Sequence, residues 1–296
     1  MLIKDYNNLK AYLFIGLSLI FFIIFLLYPI LFSLGLSFFE WKGYTPNPFE
    51  NFIGLSNYIK LVKDPIFLLA LKNTIYFVFG SLIFQNLFGF IIAVFLFYGK
   101  LRASILWRSI VFFPTLLSAV IVGLVWRRIF VTDGLLNTIL NFLIPNYKPI
   151  QWLGNPITPI FVVTLVSIWQ WTGYNMVIYY AGLQGINNEI IESAKVDGAN
   201  SLQIIVRIVI PQLYKIISLA IILNIIGGFK VFDLVYIITN GGPAHRSEVI
   251  TSYMYYQSFA PFGTNKLGYA SSIAVVLTVI VLIFAIIRIY IDRKID

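Results

Sequence analysis

The residues able to do chemistry are few and widely separated in this chain. It contains one histidine, His245, and no cysteine. His245 lies in the turn-rich stretch GGPAHRSE, where a lone histidine is typical of a solvated surface residue. No GxxxxGK[ST] sequence occurs, so the phosphate-binding loop of nucleotide hydrolases is missing. We therefore predict no catalytic residue, no metal site and no cofactor bound by this chain.

Charged side chains gather instead in the segment EIIESAKVDGANSLQIIVRIVIP, residues 189–211. Its first part predicts a short helix that Asn187 or Asn188 caps and that Gly198 ends in a left-handed turn. Ser201 is a plausible N-cap for a second helix, and Pro211 predicts a bend where that helix meets the next apolar run. The pattern indicates two short polar helices that meet at Gly198.

The surrounding composition is that of an integral membrane protein. Hydrophobic residues make up 59% of the 296-residue chain and charged residues 11%, less than half of the ~25% charged content of soluble domains. That length accommodates about six helical spans of ~20 residues with their loops. The first apolar run is too long for a signal-peptide core and reads as an uncleaved span with a bend at Pro29.

The fold class predicted is an all-α integral membrane protein with six transmembrane helices, and residues 1–296 form a single transmembrane domain. The short connections carry denser positive charge than the longer loops, which places both termini, the 99–105 loop and the 183–210 loop in the cytoplasm. The apolar spacing of residues 134–143 predicts a helix along the outer surface. The predicted spans are 11–39, 73–98, 106–126, 158–182, 211–238 and 268–290.

The polar segment has two interpretations. It can be an amphipathic loop on the bilayer, or it can be a docking element for another protein. The second is favoured because the segment resembles the signature loop of ABC importer permeases, which reads Glu-Ala-Ala, three residues, Gly, nine residues, Ile-x-Leu-Pro. Glu192-Ser193-Ala194, Gly198 and Ile208-Val-Ile-Pro211 keep this spacing, with Ser193 for one alanine and isoleucine for leucine.

The resemblance extends along nearly the whole chain. SIWQWTGYNMVIYYAGLQGI, GGFKVFDLVYIITNGGP and FIGLSNYIKLVKDP are similar to the sugar-importer branch, which serves maltose-type, oligosaccharide and glycerol-phosphate uptake. It implies a type I ABC importer permease fold with a cytoplasmic coupling helix, in a loop at about 183–211. The implied ATPase-coupling residues are Glu192, Ser193, Ala194, Asp197, Gly198, Ile208 and Pro211.

The resemblance also implies partners. These are a second, homologous permease subunit, a cytoplasmic ATPase dimer that binds ATP and Mg²⁺, and an extracytoplasmic solute-binding protein. The chain would then lie in the cytoplasmic membrane of a prokaryote and form half of a sugar translocation pathway, without being an enzyme.

A sugar pathway needs aromatic faces for the ring and polar groups for the hydroxyls. The fourth and fifth spans supply both. We predict that the pathway is lined by Trp171, Gly173, Tyr174, Met176, Asn224, Gly228, Lys230 and Val231. The alternative is that the aromatic residues are interface anchors or packing groups. Lys230 and Asp233, three apart, could pair on one helix face.

Other functions remain to be compared with a sugar permease. An anionic substrate such as a glycerol phosphate would find a counter-charge in Lys230. An ion-coupled secondary transporter would need intramembrane acids, and the spans contain almost none apart from Asp233. A membrane hydrolase is disfavoured because no nucleophile–base pair is evident.

Overall fold

The computed structural model describes residues 15–43, 46–99, 104–259 and 265–295. Over these ranges the chain is helical, with one isolated antiparallel bridge between Phe39 and Phe52. In chain order the helices are α1 (Ile15–Leu36), α2 (Ser56–Lys63), α3 (Pro65–Tyr98), α4 (Ser104–Leu116), α5 (Ala119–Phe130), α6 (Leu135–Leu143), α7 (Thr158–Gln184), α8 (Asn188–Val196), α9 (Ser201–Gln212), α10 (Tyr214–Phe229), α11 (Asp233–Ile238), α12 (Ile250–Phe259) and α13 (Leu267–Ile295).

Four of the described helices, α1, α3, α7 and α13, are long and apolar enough to cross a membrane. The count becomes six if α4 with α5–α6 and α9 with α10 each form one broken span. The all-α membrane fold is therefore confirmed. Helix α3 has 34 residues, about 50 Å at the α-helical rise of ~1.5 Å per residue, which exceeds a hydrocarbon core of ~30 Å.

Two predicted spans are not continuous helices, which corrects the sequence interpretation. The segment 106–126 turns by 92° between Leu116 and Ala119, and the segment 201–229 turns by 72° between Gln212 and Tyr214. The fifth span also breaks a second time, because α10 ends at Phe229 and α11 begins at Asp233. Helix α9 runs through Pro211, so the bend lies two residues beyond the predicted position.

A π-helical turn precedes the proline in α1 and the proline in α9. The turns cover Ile23–Leu27 before Pro29 and Ile205–Val209 before Pro211. Proline cannot donate a backbone hydrogen bond to the carbonyl four residues earlier, so the ladder must be rearranged there.

Contacts among the described residues separate two compact units. The first comprises the residues up to Asp64 together with Met254–Thr278. In it the Asn57 side-chain amide donates to the carbonyls of Ser37 and Phe39 at 2.9 and 3.1 Å, and the Tyr269 hydroxyl donates to an Asp64 carboxylate oxygen at 2.6 Å. The prediction of one domain over residues 1–296 stays a prediction.

The second unit comprises Pro65–Tyr253 with the residues from Val279 onward. Helices α3 and α7 are its centre, and two apolar clusters lie along them. One cluster surrounds Phe77 and Val163, and the other surrounds Ala93 and Tyr179. Because α3 and α7 enter the clusters in the same order, they run parallel, as a second and a fourth span must in a six-span topology.

Candidate functional site

A cavity of about 420 Å³ lies in the second unit, within the ~300–1,000 Å³ range of small-molecule sites. Helices α3, α7, α10 and α11 and the turn between the last two supply most of its wall, and Ala119 of α5 completes it. Its polar and charged lining residues are Ser81, Gln85, Ser167, Gln170, Asn175, Asn224, Lys230 and Asp233. Its aromatic lining residues are Phe77, Trp171, Tyr174 and Phe232.

Hydrogen bonds to Gln170 stabilise the break between α4 and α5. The side-chain Nε2 of Gln170 donates to the carbonyl of Leu117 at 3.0 Å, and its backbone carbonyl accepts from the Thr115 hydroxyl at 2.9 Å. The first bond satisfies a carbonyl at the end of α4 that a broken helix leaves without an intrahelical partner. On the other side of the break, the Ser118 hydroxyl caps α5 by accepting from the Ile121 amide at 3.3 Å. A residue of α7 therefore stabilises the break beside the cavity.

Two buried oxygens on the cavity wall have no hydrogen-bond partner among the described protein atoms. They are Ser81 Oγ and Gln170 Oε1, on side chains 3% and 2% exposed. Nearby, Gln85 Nε2 donates to the carbonyl and the hydroxyl of Ser167 at 3.1 and 3.2 Å. Because a buried polar atom without a partner is costly, each of these oxygens would be stabilised by a hydrogen bond that its present neighbours do not supply.

Asn175 and Asn224 link α7 to α10 at the cavity wall. Asn224 Nδ2 donates to Asn175 Oδ1 at 2.8 Å, and Asn175 Nδ2 lies 3.4 Å from Asn224 Oδ1. Asn224 is one of the predicted pathway residues. Asn175, with which it forms this hydrogen-bonded pair, is not.

The two predicted aromatic residues lie side by side on the wall. The rings of Trp171 and Tyr174 pack edge to face with centroids 6.0 Å apart, and they are 41% and 38% exposed. An aromatic pair that is packed yet still open to the cavity presents the apolar surface that a sugar ring needs.

Gly228, Lys230 and Val231 also line the cavity, near the end of α10. The predicted pairing of Lys230 with Asp233 on one helix face is not found. Lys230 is the C-cap of α10 and Asp233 is the first residue of α11, so the two residues belong to different helices.

Gly173 and Met176 are not among the residues that line this cavity. A Cβ at Gly173 would lie 2.2 Å from the carbonyl oxygen of Val111, so this glycine permits close packing of α7 on α4. The Met176 side chain is 0% exposed within the cluster around Tyr179. Successive side chains along a helix are rotated by ~100° from one another. Gly173 and Met176 therefore face neighbouring helices, while Trp171 and Tyr174 on the same helix line the cavity. The role of Gly173 and Met176 in the pathway stays a prediction.

The predicted pathway set omits five uncharged polar residues that line the cavity: Ser81, Gln85, Ser167, Gln170 and Asn175. Their spacing was the available signal. Ser81 and Gln85 are four apart, and Ser167, Gln170 and Tyr174 follow at intervals of three and four, so each set lies on one face of an apolar helix. Polar residues at membrane depth generally face the interior of the helix bundle.

The second predicted site is an elbow formed by α8 and α9. Asn187 caps α8, since its Oδ1 accepts from the Glu189 amide at 3.0 Å. Gly198 has φ +83°, and the amides of Gly198 and Ala199 donate to the carbonyls of Lys195 and Ala194 at 3.1 and 2.9 Å. These two bonds form a Schellman motif, which requires the left-handed residue that glycine supplies.

The N-cap of α9 is Asn200, not Ser201. Asn200 Oδ1 accepts from the Gln203 amide at 2.9 Å, and Gln203 Oε1 accepts from the Asn200 amide at 2.8 Å. This reciprocal capping box satisfies two amides at once, whereas a cap at Ser201 would offer one bond.

The elbow separates an exposed polar side from a buried apolar one. Ile191, Ile204 and Val209 are buried in the cluster around Tyr179. Ala194 and Ile208 are partly buried, and the other predicted coupling residues are exposed: Glu192, Ser193, Asp197, Gly198 and Pro211. The elbow is therefore anchored to the helix bundle and presents a polar surface, and the coupling roles of these residues stay predictions.

Among the described residues, no group of three or more His, Cys, Asp or Glu side chains could hold a metal ion. Two ion pairs of the second unit, Arg128–Asp133 at 3.4 Å and Arg288–Asp292 at 3.0 Å, lie away from the cavity lining.

Sequence comparison defines the class of this membrane protein. Residues 65–296 match the family described as the binding-protein-dependent transport system inner membrane component, and the chain belongs to this family. It is thus a multi-pass membrane permease subunit of an ABC importer, and the prediction of a transport subunit rather than an enzyme is confirmed.

Named relatives align over almost their full length. The chain is 34% identical to the probable ABC transporter permease protein YurN of Bacillus subtilis, over 95% of each chain. It is 32% identical to the lactose transport system permease protein LacF of Rhizobium radiobacter, over 99% of this chain and 97% of LacF. It is also 32% identical to the arabinooligosaccharides transport system permease protein AraP of Bacillus subtilis, over 93% and 86% of the two chains.

Solved structures confirm the type I permease fold. A chain of a bacterial ABC transporter for import of the acidic polysaccharide alginate superposes with a TM-score of 0.85 at 22% identity, covering 100% of this chain and 99% of that one. An amino acid ABC transporter chain superposes with a TM-score of 0.51 at 16% identity, over 80% of this chain and 98% of that one.

Proposed function

We propose that the chain forms half of the translocation pathway of an ATP-driven importer for sugars, and that oligosaccharides are its substrates. The observation that carries this proposal is the cavity. Its wall combines the Trp171–Tyr174 ring pair with polar side chains such as Ser81, Gln170 and Asn224. Apolar sugar faces stack on aromatic rings, and sugar hydroxyls donate to oxygen acceptors, so the wall matches both sides of a carbohydrate.

The names of the relatives support the same substrate class. LacF belongs to a lactose transport system and AraP to a system for arabinooligosaccharides. By family resemblance, the pathway also includes Gly173 and Met176, whose packing would position the wall residues next to them on α7.

We propose three kinds of protein partner for this chain. A second, homologous permease would complete the pathway, and a cytoplasmic ATPase dimer, which binds ATP and Mg²⁺, would contact the elbow of α8 and α9. The exposed acids Glu192 and Asp197 would meet that ATPase, while the partly buried Ala194 would transmit its motion to the helix bundle. A solute-binding protein would deliver the sugar. One structural relative forms a complex with a periplasmic protein bound to an alginate pentasaccharide.

The proposed contact between the elbow and the ATPase determines the proposed orientation of the chain in the membrane. An ATPase acts in the cytoplasm, so α8 and α9 would lie there, together with both termini. The helix α6 would then lie on the outer side of a prokaryotic cytoplasmic membrane. The single-domain organisation belongs to the same proposal.

The test is reconstitution of the complete importer. The tagged chain is purified from native membranes with its partners, identified by mass spectrometry, and placed in proteoliposomes with ATP inside. We expect vanadate-sensitive accumulation of a neutral oligosaccharide presented on the recovered binding protein. Uptake that follows an ion gradient without ATP, or failure to take up any saccharide that the binding protein binds, would reject the proposal.

A second candidate substrate is an anionic solute such as a glycerol phosphate. The observation in its favour is Lys230, an exposed cation on the cavity lining. Lys230→Met separates the two candidates, because it removes the charge and keeps much of the side-chain length. A loss of uptake confined to anionic solutes favours glycerol phosphate, whereas unchanged phosphate-ester uptake rejects it.

A further inference from the structure

The helix α6, LLNTILNFL, carries no charged residue and exposes an apolar face. Leu135, Ile139, Phe142 and Leu143 are 58, 45, 89 and 65% exposed. Their spacing of four, three and one places them on one side of the helix. A phenylalanine with nine-tenths of its surface exposed indicates that something outside this chain covers the face.

Asn137 attaches the opposite side of α6 to the rest of the chain through hydrogen bonds. This side chain is 3% exposed, and its Nδ2 donates to the carbonyls of Thr132 and Ile150 at 2.9 Å each. Its Oδ1 accepts from the Tyr147 hydroxyl at 2.7 Å and from Trp152 Nε1 at 3.1 Å. Because all four bonds would break if α6 rotated, the apolar face cannot turn toward the protein interior.

The preceding helix α5, which is part of a broken span, also exposes apolar side chains. On α5, Val120, Ile121, Leu124 and Val125 are 52–56% exposed. After them come the exposed cations Arg127 and Arg128, of which Arg128 pairs with Asp133 at 3.4 Å, and Lys148 is exposed in the loop that follows α6. Apolar side chains next to a border of cations are the pattern that inserts into the boundary between lipid headgroups and acyl chains.

We propose that α6 is an interfacial anchor whose apolar face is covered by lipid of the outer leaflet, with Arg127 and Lys148 at the level of the phosphates. Lipid is favoured over a protein occupant because the face offers no polar group for specific pairing, because exposed cations flank it, and because the neighbouring helix α5 also exposes apolar side chains. The outer placement rests on the orientation given under the proposed function.

The anchor has a consequence for the cavity. Arg127 donates from its guanidinium to the carbonyl of Ile237 on α11 at 3.4 Å, and a Cβ at Gly123 would lie 2.8 Å from the Ile237 side chain. Lipid contact at α6 would therefore hold α5 and, through it, the helix α11 that forms part of the cavity wall.

The natural lack of cysteine allows a direct test by single-site spin labelling. Phe142→Cys and, as a control on the polar side of the same helix, Asn141→Cys are labelled in the complete importer in phosphatidylcholine–phosphatidylglycerol nanodiscs. We expect the label at 142 to be more accessible to oxygen than to a nickel chelate, and the label at 141 to show the reverse. A label at 142 that favours the chelate, or that is shielded from both reagents by a permease or binding protein, overturns the anchor.

A second measurement guards against effects of the label itself. A label at Ile139→Cys is compared in Phe142→Asp and Phe142→Leu backgrounds, with the expectation that only the aspartate moves it toward water. An unchanged depth in the aspartate background also overturns the anchor. Reaction of Asn141→Cys with an impermeant thiol reagent from the cytoplasmic side would instead reject the proposed orientation, independently of the depth measurement.

Discussion

Asn224 donates a hydrogen bond from Nδ2 to Oδ1 of Asn175 at 2.8 Å, 49 residues earlier in the chain. The two amides face each other between α10 and α7 and both line the cavity. An amide pair of this kind connects the two helices through directional bonds, whereas apolar contacts in a membrane are less selective. Any motion that separates α7 from α10 must break it.

Replacing one asparagine of the pair should cost more than replacing both. Asn224→Leu leaves the Asn175 amide partly unpaired, at a cost of about 1–3 kcal/mol, while the double Asn175→Leu/Asn224→Leu variant leaves no unpaired amide. We expect lower thermal stability for each single variant and partial recovery for the double. Strictly additive losses in detergent-solubilised protein would show that the bond is not energetically coupled.

Gly173 should be intolerant of even a methyl group. Gly173→Ala would place a Cβ 2.2 Å from the carbonyl oxygen of Val111, and such overpacking typically costs about 1–3 kcal/mol. Gly227→Ala is the matched control, because no atom lies within 4 Å of a Cβ there. We expect a lower unfolding temperature for the first variant only. Equal temperatures would mean that α4 and α7 separate easily.

Charge reversal at the elbow should affect coupling and not folding. Glu192→Lys changes an exposed side chain, so we expect normal expression and a several-fold loss of transport-stimulated ATP hydrolysis in the assembled importer. Glu189→Lys, on the same helix with the same charge change, is the control. A similar loss in both variants would indicate a general electrostatic effect at the elbow and would argue against a specific contact at Glu192.

Gly198 provides an independent test of the elbow. A Cβ at Gly198 meets no atom within 4 Å, but the valine of Gly198→Val must adopt φ +83°, a conformation that costs an L-residue about 1–2 kcal/mol. The expected result is a reoriented α8 with reduced recovery of the ATPase on purification. Gly198→Asn, which tolerates the left-handed region, should retain most of the ATPase. Loss in both would implicate the side chain and not the backbone.

Glu248 should make stability depend on pH. Burial raises the pKa of its carboxyl above 4.5, and the hydrogen bonds from Ser252 and His245 oppose this increase only partly. A raised native pKa means that the folded protein binds this proton more tightly than the unfolded chain. Its stabilising contribution is therefore complete below pH 4.5 and is lost as pH rises through the native pKa.

The measurement is thermal unfolding of the wild type and Glu248→Gln from about pH 4 to about pH 8. We expect the wild type to lose stability as pH rises above 4.5, and the variant to lose less over the same range. The exposed Glu189→Gln serves as the control. A variant with the wild-type slope would assign the pH dependence to a group other than Glu248.

The sequence by itself determined the elements whose causes are local. Long apolar runs specify the spans, because an unpaired backbone is too costly in lipid. The helix α8 follows from Asn187 and Gly198, whose capping roles depend only on residues next to them. The helix α6 could likewise be predicted from its apolar spacing.

Tertiary structure decided what depends on distant residues. Pro114 and Ser118 are local signals near the break at Leu117, but the Gln170 amide that satisfies the Leu117 carbonyl comes from 53 residues away. The composition of the cavity wall was decided in the same way. Whether Asn175 or Met176 faces the cavity depends on how α7 is rotated against α3 and α4, and that rotation is set by packing between helices and not by the order of residues within one.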